Sequence, residues 1–307
     1  MRLILSFFAL LPIGLVHAQT VSTVSPSPVK KEENTLLWEI TGNGLSKPSW
    51  FLGTMHVLCP EDAFLSASVK RILENVNAIY LEVDMDNMVQ MMGAIKAMNM
   101  LNDTTLQDLM TTEEIDKLKK FFDGKLPLPF SMVQRMKPLF LSGLMAEQML
   151  PCKSGSGTES LLMKEANERN LAIEGLETAL YQAGLFDSIP YKQQAESLLK
   201  AINGADKDDD ETIAKMLEAY RSQDLEKLEQ LTVSEEGGME GYLDLLLYNR
   251  NHNWVEKFGN ITLQGSYLFA VGAGHLPGDK GVLNLLRQKG YTVKPVANEI
   301  PRLDKEI

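Results

Sequence analysis

The sequence predicts an α/β (α+β) protein, a mixed β-sheet core surrounded by helices, with a helical middle region placed to cap the site. Three observations predict it. Short apolar runs of strand character are interleaved with longer stretches of helical spacing, which indicates a mixed sheet covered by helices. The first two runs flank a turn that contains Asn43-Gly44, a hairpin signal. And the phrase Gly-x-x-His occurs twice, as Gly53-Thr54-Met55-His56 and as Gly272-Ala273-Gly274-His275, each time closing an apolar run.

The elements follow in order. Leu36 to Thr41 alternates in part and reads as a strand. Trp50 to Gly53 returns as its antiparallel partner. Ser66 to Val76 spaces Val69, Ile72, Leu73 and Val76 as a helix does. Ala78 to Val83 is the third strand, with Glu82 near its carboxyl end. Residues 87 to about 150 read as helical, with a capping box at Thr111–Glu114. The methionines between Met85 and Met100 read as a soft core, with a Met-lined groove for a peptide or lipid as the alternative. Pro151 to Gly157 is a loop. Glu159 to Asn170 is a helix, and Leu171 to Gly175 a short strand with Glu177 at its end. Pro190 to Leu231 is helical, Asp208-Asp209-Asp210 lying at a helix start where acids complement the dipole. Met239 to Phe258 forms a further helix. Tyr267 to Gly272, a helix from about Lys280 to Lys289, and Tyr291 to Val296 make a closing β–α–β passage.

The 307 residues suffice for one large domain or two small ones. Residues 1–18 read as a cleavable signal peptide: Arg2, an apolar stretch from Leu3 to Val16, then Val16-His17-Ala18 before the cut. Residues 19–34, rich in Ser, Thr, Val, Pro and Lys, read as a disordered linker, and residues 35–300 as a single α/β domain. The expected location is secreted or periplasmic, with no membrane span left after cleavage. The formal net charge is −11, more negative by one once Arg2 is removed. That balance gives no reason to bind nucleic acid. Two cysteines, Cys59 and Cys152, form one disulfide or stay as two buried thiols; spacing alone leaves both open.

The chain has only four histidines, and two share one local setting. A histidine just past a strand end sits at the rim where open α/β sheets bind ligands. His56 and His275, with Glu82, make a His/His/carboxylate set that suits a divalent transition metal with positions open to water. A water on such a metal becomes a nucleophile near neutral pH. Glu177 is a further ligand or general base. Arg250 and Asn251, mid-helix beside Trp254, could position a substrate or stabilise an oxyanion. The bland alternatives are strand-end histidines that only hydrogen-bond, acids that cap loops, and a helix-surface Arg–Asn pair; His252 reads as surface. No Gly-x-Ser-x-Gly elbow or His-Glu-x-x-His helix is present, and no P-loop lysine follows Gly272.

These residues, in this order, resemble the TraB/GumN family, which includes the TIKI metalloproteases. The resemblance rests on Trp38-Glu39-Ile40, Phe51 to His56, Leu81-Glu82, Gly175 to Thr178, Arg250-Asn251 with Trp254, and Val271 to Leu276. It implies a fold like that of the erythromycin esterase and ChaN group, with both histidines and the acids in one site. For TIKI members it implies peptide hydrolysis of Wnt proteins with a divalent metal ion, manganese or cobalt favoured; zinc is also compatible with the donor set. The chain has Gly157-Thr158-Glu159 where many relatives carry Gly-x-Asp, so no role is carried over to Glu159. The leading expectation is an exported metal-dependent hydrolase, a peptidase acting on a peptide or small-molecule substrate. A metal-free, esterase-like hydrolase with a histidine base and a non-catalytic haem or small-ligand binder are the alternatives. Oligomeric state is not encoded in any of these patterns.

Overall fold

The computed structural model describes residues 34–123, 129–150, 152, 157–204, 209–233 and 240–299. The expected signal peptide and all of the linker but Asn34 lie outside the described residues, as do Asp208, Met239 and most of the Pro151–Gly157 loop. Among the described residues no helix is long and apolar enough to cross a membrane.

The chain opens with β1 (Leu37–Gly42) and β2 (Ser49–Thr54), paired antiparallel with Leu37 opposite Leu52. The turn between them uses left-handed backbone at Gly42, Asn43 and Gly44, a conformation that glycine and asparagine adopt at little cost. Helix α1 (Ala67–Leu73) starts at Ser66, whose side chain accepts the Val69 N–H and satisfies one free donor of the first turn. Strand β3 (Ala78–Val83) follows with the bounds the sequence predicts.

Five helices fill the middle: α2 (Met88–Ala97), α3 (Leu106–Leu109), α4 (Thr112–Phe122), α5 (Phe130–Val133) and α6 (Pro138–Gln148). The capping box at Thr111 and Glu114 is present. Next come α7 (Thr158–Glu168), β4 (Ala172–Glu177), α8 (Ala179–Leu185), α9 (Tyr191–Gly204), α10 (Asp209–Arg221) and α11 (Leu225–Val233). The helix expected from Met239 is broken. A 3-10 turn at Glu240–Tyr242 and a π-turn at Asp244–Tyr248 precede α12 (Asn249–Ile261). Strand β5 (Tyr267–Gly272), α13 (Val282–Gln288) and β6 (Tyr291–Pro295) close the fold.

The six strands form one mixed sheet in the order β4-β3-β5-β2-β1-β6. Strands β4, β3, β5 and β2 are parallel neighbours; β1 pairs antiparallel with both β2 and β6. The last parallel strand, β5, thus inserts between β2 and β3. Those two are consecutive in sequence, so their separation opens the crevice at the strands' carboxyl ends where ligands bind in such sheets. Phe51, Phe258 and Phe269 pack together in the core, with ring centroids 5.0 to 5.7 Å apart. Truncating one of them to alanine would cost about 3–5 kcal/mol.

A second apolar cluster lies in the helical middle, built from Met100, Leu106, Ile115, Leu118, Leu141 and Leu198 among others. Lys137, fully buried, ties it to α8: its ammonium donates to the Ala183 carbonyl and pairs with Asp187, both at 2.8 Å. The methionines of α2 depart from the soft-core expectation. Met88, Val89, Met92 and Ile95 are exposed, because α2 buries only Ala94 and part of Met91 against Val83 and Ala179. Cys59 and Cys152 are joined in a disulfide.

Candidate active site

Register decides which side chains meet. Thr54 at the end of β2 lies opposite Gly272 at the end of β5. On the other side of β5, Leu81 lies opposite Ala270, which puts Glu82 level with the end of that strand. Val83 lies opposite Glu177 on β4. Four parallel strands therefore deliver His56, His275, Glu82 and Glu177 to one rim. A single point measures the convergence: the position a Cβ on Gly272 would take is 3.2 Å from Glu82 Oε1, 3.5 Å from His275 Cδ2 and 4.0 Å from His56 Nε2. The first glycine of the other motif has a different task. A Cβ on Gly53 would stand 2.9 Å from Leu276 Cδ1 and 3.2 Å from the Ala273 backbone, so Gly53 lets the second motif's turn pack directly over the first.

The two rings are held alike. His275 sits on a 3-10 turn at Ala273–His275, and its Nδ1 lies 2.6 Å from Asn251 Oδ1. The Asn251 amide donates its NH₂ to the Lys280 carbonyl at 2.9 Å, which leaves its oxygen for the ring and makes Nδ1 the donor. Trp254 packs against the ring with centroids 4.4 Å apart. Burial pushes the His275 pKa down to about 3, so the ring is neutral with its lone pair on Nε2. His56 donates from Nδ1 to Glu159 Oε1 at 2.8 Å, and 64% of its side chain is exposed, so the rest of the ring is open to solvent. The Glu159 hydrogen bond raises its pKa to about 9, burial opposing; solvent at the exposed side screens part of that effect.

Arg250 occupies the centre. Its Nε donates to both Glu177 oxygens at 3.2 and 2.9 Å, Nη1 donates to the Leu246 carbonyl at 2.9 Å and lies 3.3 Å from His275 Nε2, and Nη2 pairs with Glu82. Glu82 also takes the Gln182 amide at 3.0 Å and the Gly272 N–H at 2.8 Å. Burial works against the charge of Glu82, yet the Arg250 guanidinium, the His56 ring and the Gly272 N–H hold it well below the usual carboxylate range. Burial raises Glu177 in spite of Arg250, with the Glu82 charge adding to the rise. Environment thus pushes the two carboxylates apart, the pattern that separates acid and base roles.

The pocket over this cluster encloses about 280 Å³. His56, Glu82, Arg250 and His275 make its polar side; Leu185, Phe186, Leu243, Leu246 and Leu247 make an apolar side. The cap therefore comes from α8, α11 and the π-turn, and none of helices α2 to α6 lines the pocket. Two expected site residues are in place but do not face it. Glu177 lies behind Arg250, and Asn251, fully buried, orients His275. His252 is exposed, as expected.

Among the described residues no group of three His, Cys, Asp or Glu side chains stands ready to hold a metal ion. The expected ligands His56, Glu82 and His275 converge but are not assembled, because the Arg250 guanidinium lies against both Glu82 and His275 Nε2. The donor chemistry nonetheless fits. Both rings are anchored at Nδ1 and turn the other edge toward one pocket, the outer-shell arrangement of metal-ligating histidines. Among the described residues Glu82 Oε1 accepts only the Gly272 N–H, and it lies 3.7 Å from His275 Nε2. Sequence reasoning missed Gln182 and the apolar side, and it carried no role over to Glu159. Glu159 stood out only as a Glu where many relatives of the resembled family carry Asp; Gln182 and the leucines carried no signal.

Fold and site together define an α/β protein with a polar pocket at the carboxyl ends of its parallel strands. The chain belongs to the TraB/PrgY/gumN family, whose pattern matches residues 36–295. It is similar to Metalloprotease TIKI2 of Danio rerio, at 23% identity over 329 aligned positions that cover 89% of this chain and 63% of the fish protein. A shorter stretch is 35% identical over 74 residues to the Metalloprotease TIKI homolog of Amphimedon queenslandica, covering 22% of this chain and 14% of that one. The chain spans less than two thirds of the length of these curated relatives. No solved structure matches it.

Proposed function

We propose that the chain is a metal-dependent hydrolase of peptides, exported by its N-terminal segment. The observation that carries this reading is the paired anchoring of His56 and His275, each tied at Nδ1 and each turned toward the pocket beside Glu82. A divalent cation held by His56, Glu82 and His275 would supply a Lewis acid and an acidified water at the rim. The likeness to proteins named metalloproteases supports the same reading. The family resemblance favours manganese or cobalt, with zinc as the other candidate.

The chain's own side chains divide the remaining work. Arg250, neutralised by two carboxylates, directs one Nη1 N–H at His275 Nε2; with that nitrogen on a metal, this N–H would become the donor for a substrate oxygen. Gln182 and the Gly272 N–H fix Glu82. Glu177, the carboxyl raised by burial, takes a proton more readily than Glu82 and holds Arg250 from behind. The apolar side excludes water and receives an apolar residue beside the bond to be cut. Export is supported by the apolar stretch from Leu3 to Val16 and by a disulfide, a bond that persists in oxidising compartments.

The test is hydrolysis of quenched fluorescent peptides carrying Leu, Phe or Met near the centre. Protein stripped with EDTA and reloaded with Mn²⁺, Co²⁺ or Zn²⁺ is expected to cleave them, and His56→Ala and His275→Ala to lose at least 100-fold in rate, on the scale by which a removed transition-state contact lowers kcat. Equal cleavage with and without metal would leave the metal-free hydrolase as the better reading.

A further inference from the structure

Glu159 is a buried carboxylate at the N-terminal turn of α7, with 6% of its surface exposed, and no part of the expected chemistry uses it. Its Oε1 accepts two short hydrogen bonds, from His56 Nδ1 at 2.8 Å and from Thr54 Oγ1 at 2.6 Å. The carboxylate therefore bridges the end of β2 to the first histidine of the repeated motif.

The backbone around it is built for that reach. The Thr158 N–H donates to the Met55 carbonyl at 3.1 Å. A Cβ on Gly157 would stand 2.3 Å from the His56 carbonyl oxygen, so only glycine lets the two segments come this close. The Thr158 hydroxyl meets the Tyr220 hydroxyl at 3.0 Å, and the latter reaches the Gly53 carbonyl at 3.3 Å. The Cys59–Cys152 disulfide joins the same two segments covalently, one end just after His56 and the other shortly before Gly157. Together these contacts hold the start of α7 against the segment after β2, where His56 stands with most of its side chain open to solvent.

We infer that Glu159 is the positioning residue of His56: it fixes the ring through Nδ1 so that Nε2 faces the pocket. The His56 side chain has no other hydrogen-bond partner among those described, so without Glu159 the exposed ring is free to rotate about its side-chain torsions. Glu159 does not touch the pocket and acts on chemistry only through His56. Its relation to His56 parallels that of Asn251 to His275, so the two halves of the site use one design with different acceptors, a carboxylate and an amide.

The test is NMR of metal-free protein labelled with ¹⁵N-histidine, with His56→Gln assigning the His56 resonances. Wild-type protein is expected to show a downfield, slowly exchanging His56 Nδ1 proton. Glu159→Ala should lose that signal while the His275 resonances stay in place. Glu159→Gln, which keeps the side-chain size if the alanine variant fails to fold, should move the signal upfield because its acceptor is neutral. A His56 Nδ1 proton unchanged in either variant, or absent from the wild type, would overturn the inference. Mn²⁺ titration of the same samples separates this inference from the proposed function. If Mn²⁺ binds, Glu159→Ala should weaken it about 10–100-fold. Loss of the His56 signal in a protein that takes up no metal would support the positioning role and count against the metal-dependent reading.

Discussion

At the residue scale, Arg250 is the group on which the rim depends. It is one cation shared by two buried carboxylates, and it lies against the lone pair of a neutral imidazole. Removing one partner of such a cluster leaves uncompensated charge in a poorly solvated place. Arg250→Ala should therefore lose about 3–5 kcal/mol in urea denaturation. Arg250→Lys should recover only part of this, because an ammonium cannot span Glu82 and Glu177 with the guanidinium fork. Glu229, in a separate pocket behind the second histidine motif, makes a prediction about pH. Burial holds its carboxyl above the ordinary range, and the neighbouring Asp279 and Glu226 add to the shift. A group that binds its proton more tightly when folded favours folding at low pH and opposes it once pH rises through the folded pKa. Glu229→Gln should thus be more stable than wild type at pH 7, with the gain vanishing below about pH 4, where both side chains are neutral. Thermal melts across that range check both the sign and the window.

At the scale of elements, the two motif glycines make opposite predictions. Gly53→Ala drives a methyl into Leu276 and the Ala273 backbone, and should cost about 1–3 kcal/mol of stability. Gly272→Ala puts its methyl 3.2 Å from Glu82 Oε1 and between the two rings. It should leave the melting temperature nearly intact while abolishing metal uptake. Calorimetry on the two purified variants separates these outcomes. The strands that carry the motifs were legible because each is a short apolar run bounded by turn residues, and the repeated Gly-x-x-His marked which strand ends mattered. What no local pattern carries is the order of strands. The insertion of β5 between β2 and β3 makes His56 and His275 neighbours, and it is set by long-range pairing. The broken helix before α12 and the cap formed by α8, α11 and the π-turn escaped for the same reason, since periodicity reports which face is apolar and not what covers it. Glu159 was set aside for a related cause: a Glu where many relatives carry Asp suggests no role until the fold lays its carboxylate against His56.

For the whole molecule, the sheet and the helical middle keep separate apolar clusters, and the pocket lies on the side of the sheet. The disulfide spans 93 residues and closes a loop that contains most of the helical middle. Replacing both cysteines by serine should cost about 2–5 kcal/mol in urea, since the open chain gains the freedom that the bond removes. In the proposed hydrolase, one rim assembled from four parallel strands would hold a single divalent ion through His56, Glu82 and His275. Visible absorption of Co²⁺ added to EDTA-stripped protein tests it most directly, because the bands of bound Co²⁺ report its ligands. The wild type is expected to saturate at one equivalent, with the bands lost or reshaped in His56→Gln, Glu82→Gln and His275→Gln. No such change is expected in His252→Gln, whose side chain is exposed. Wild-type bands that persist in all three site variants would contradict the three-ligand site.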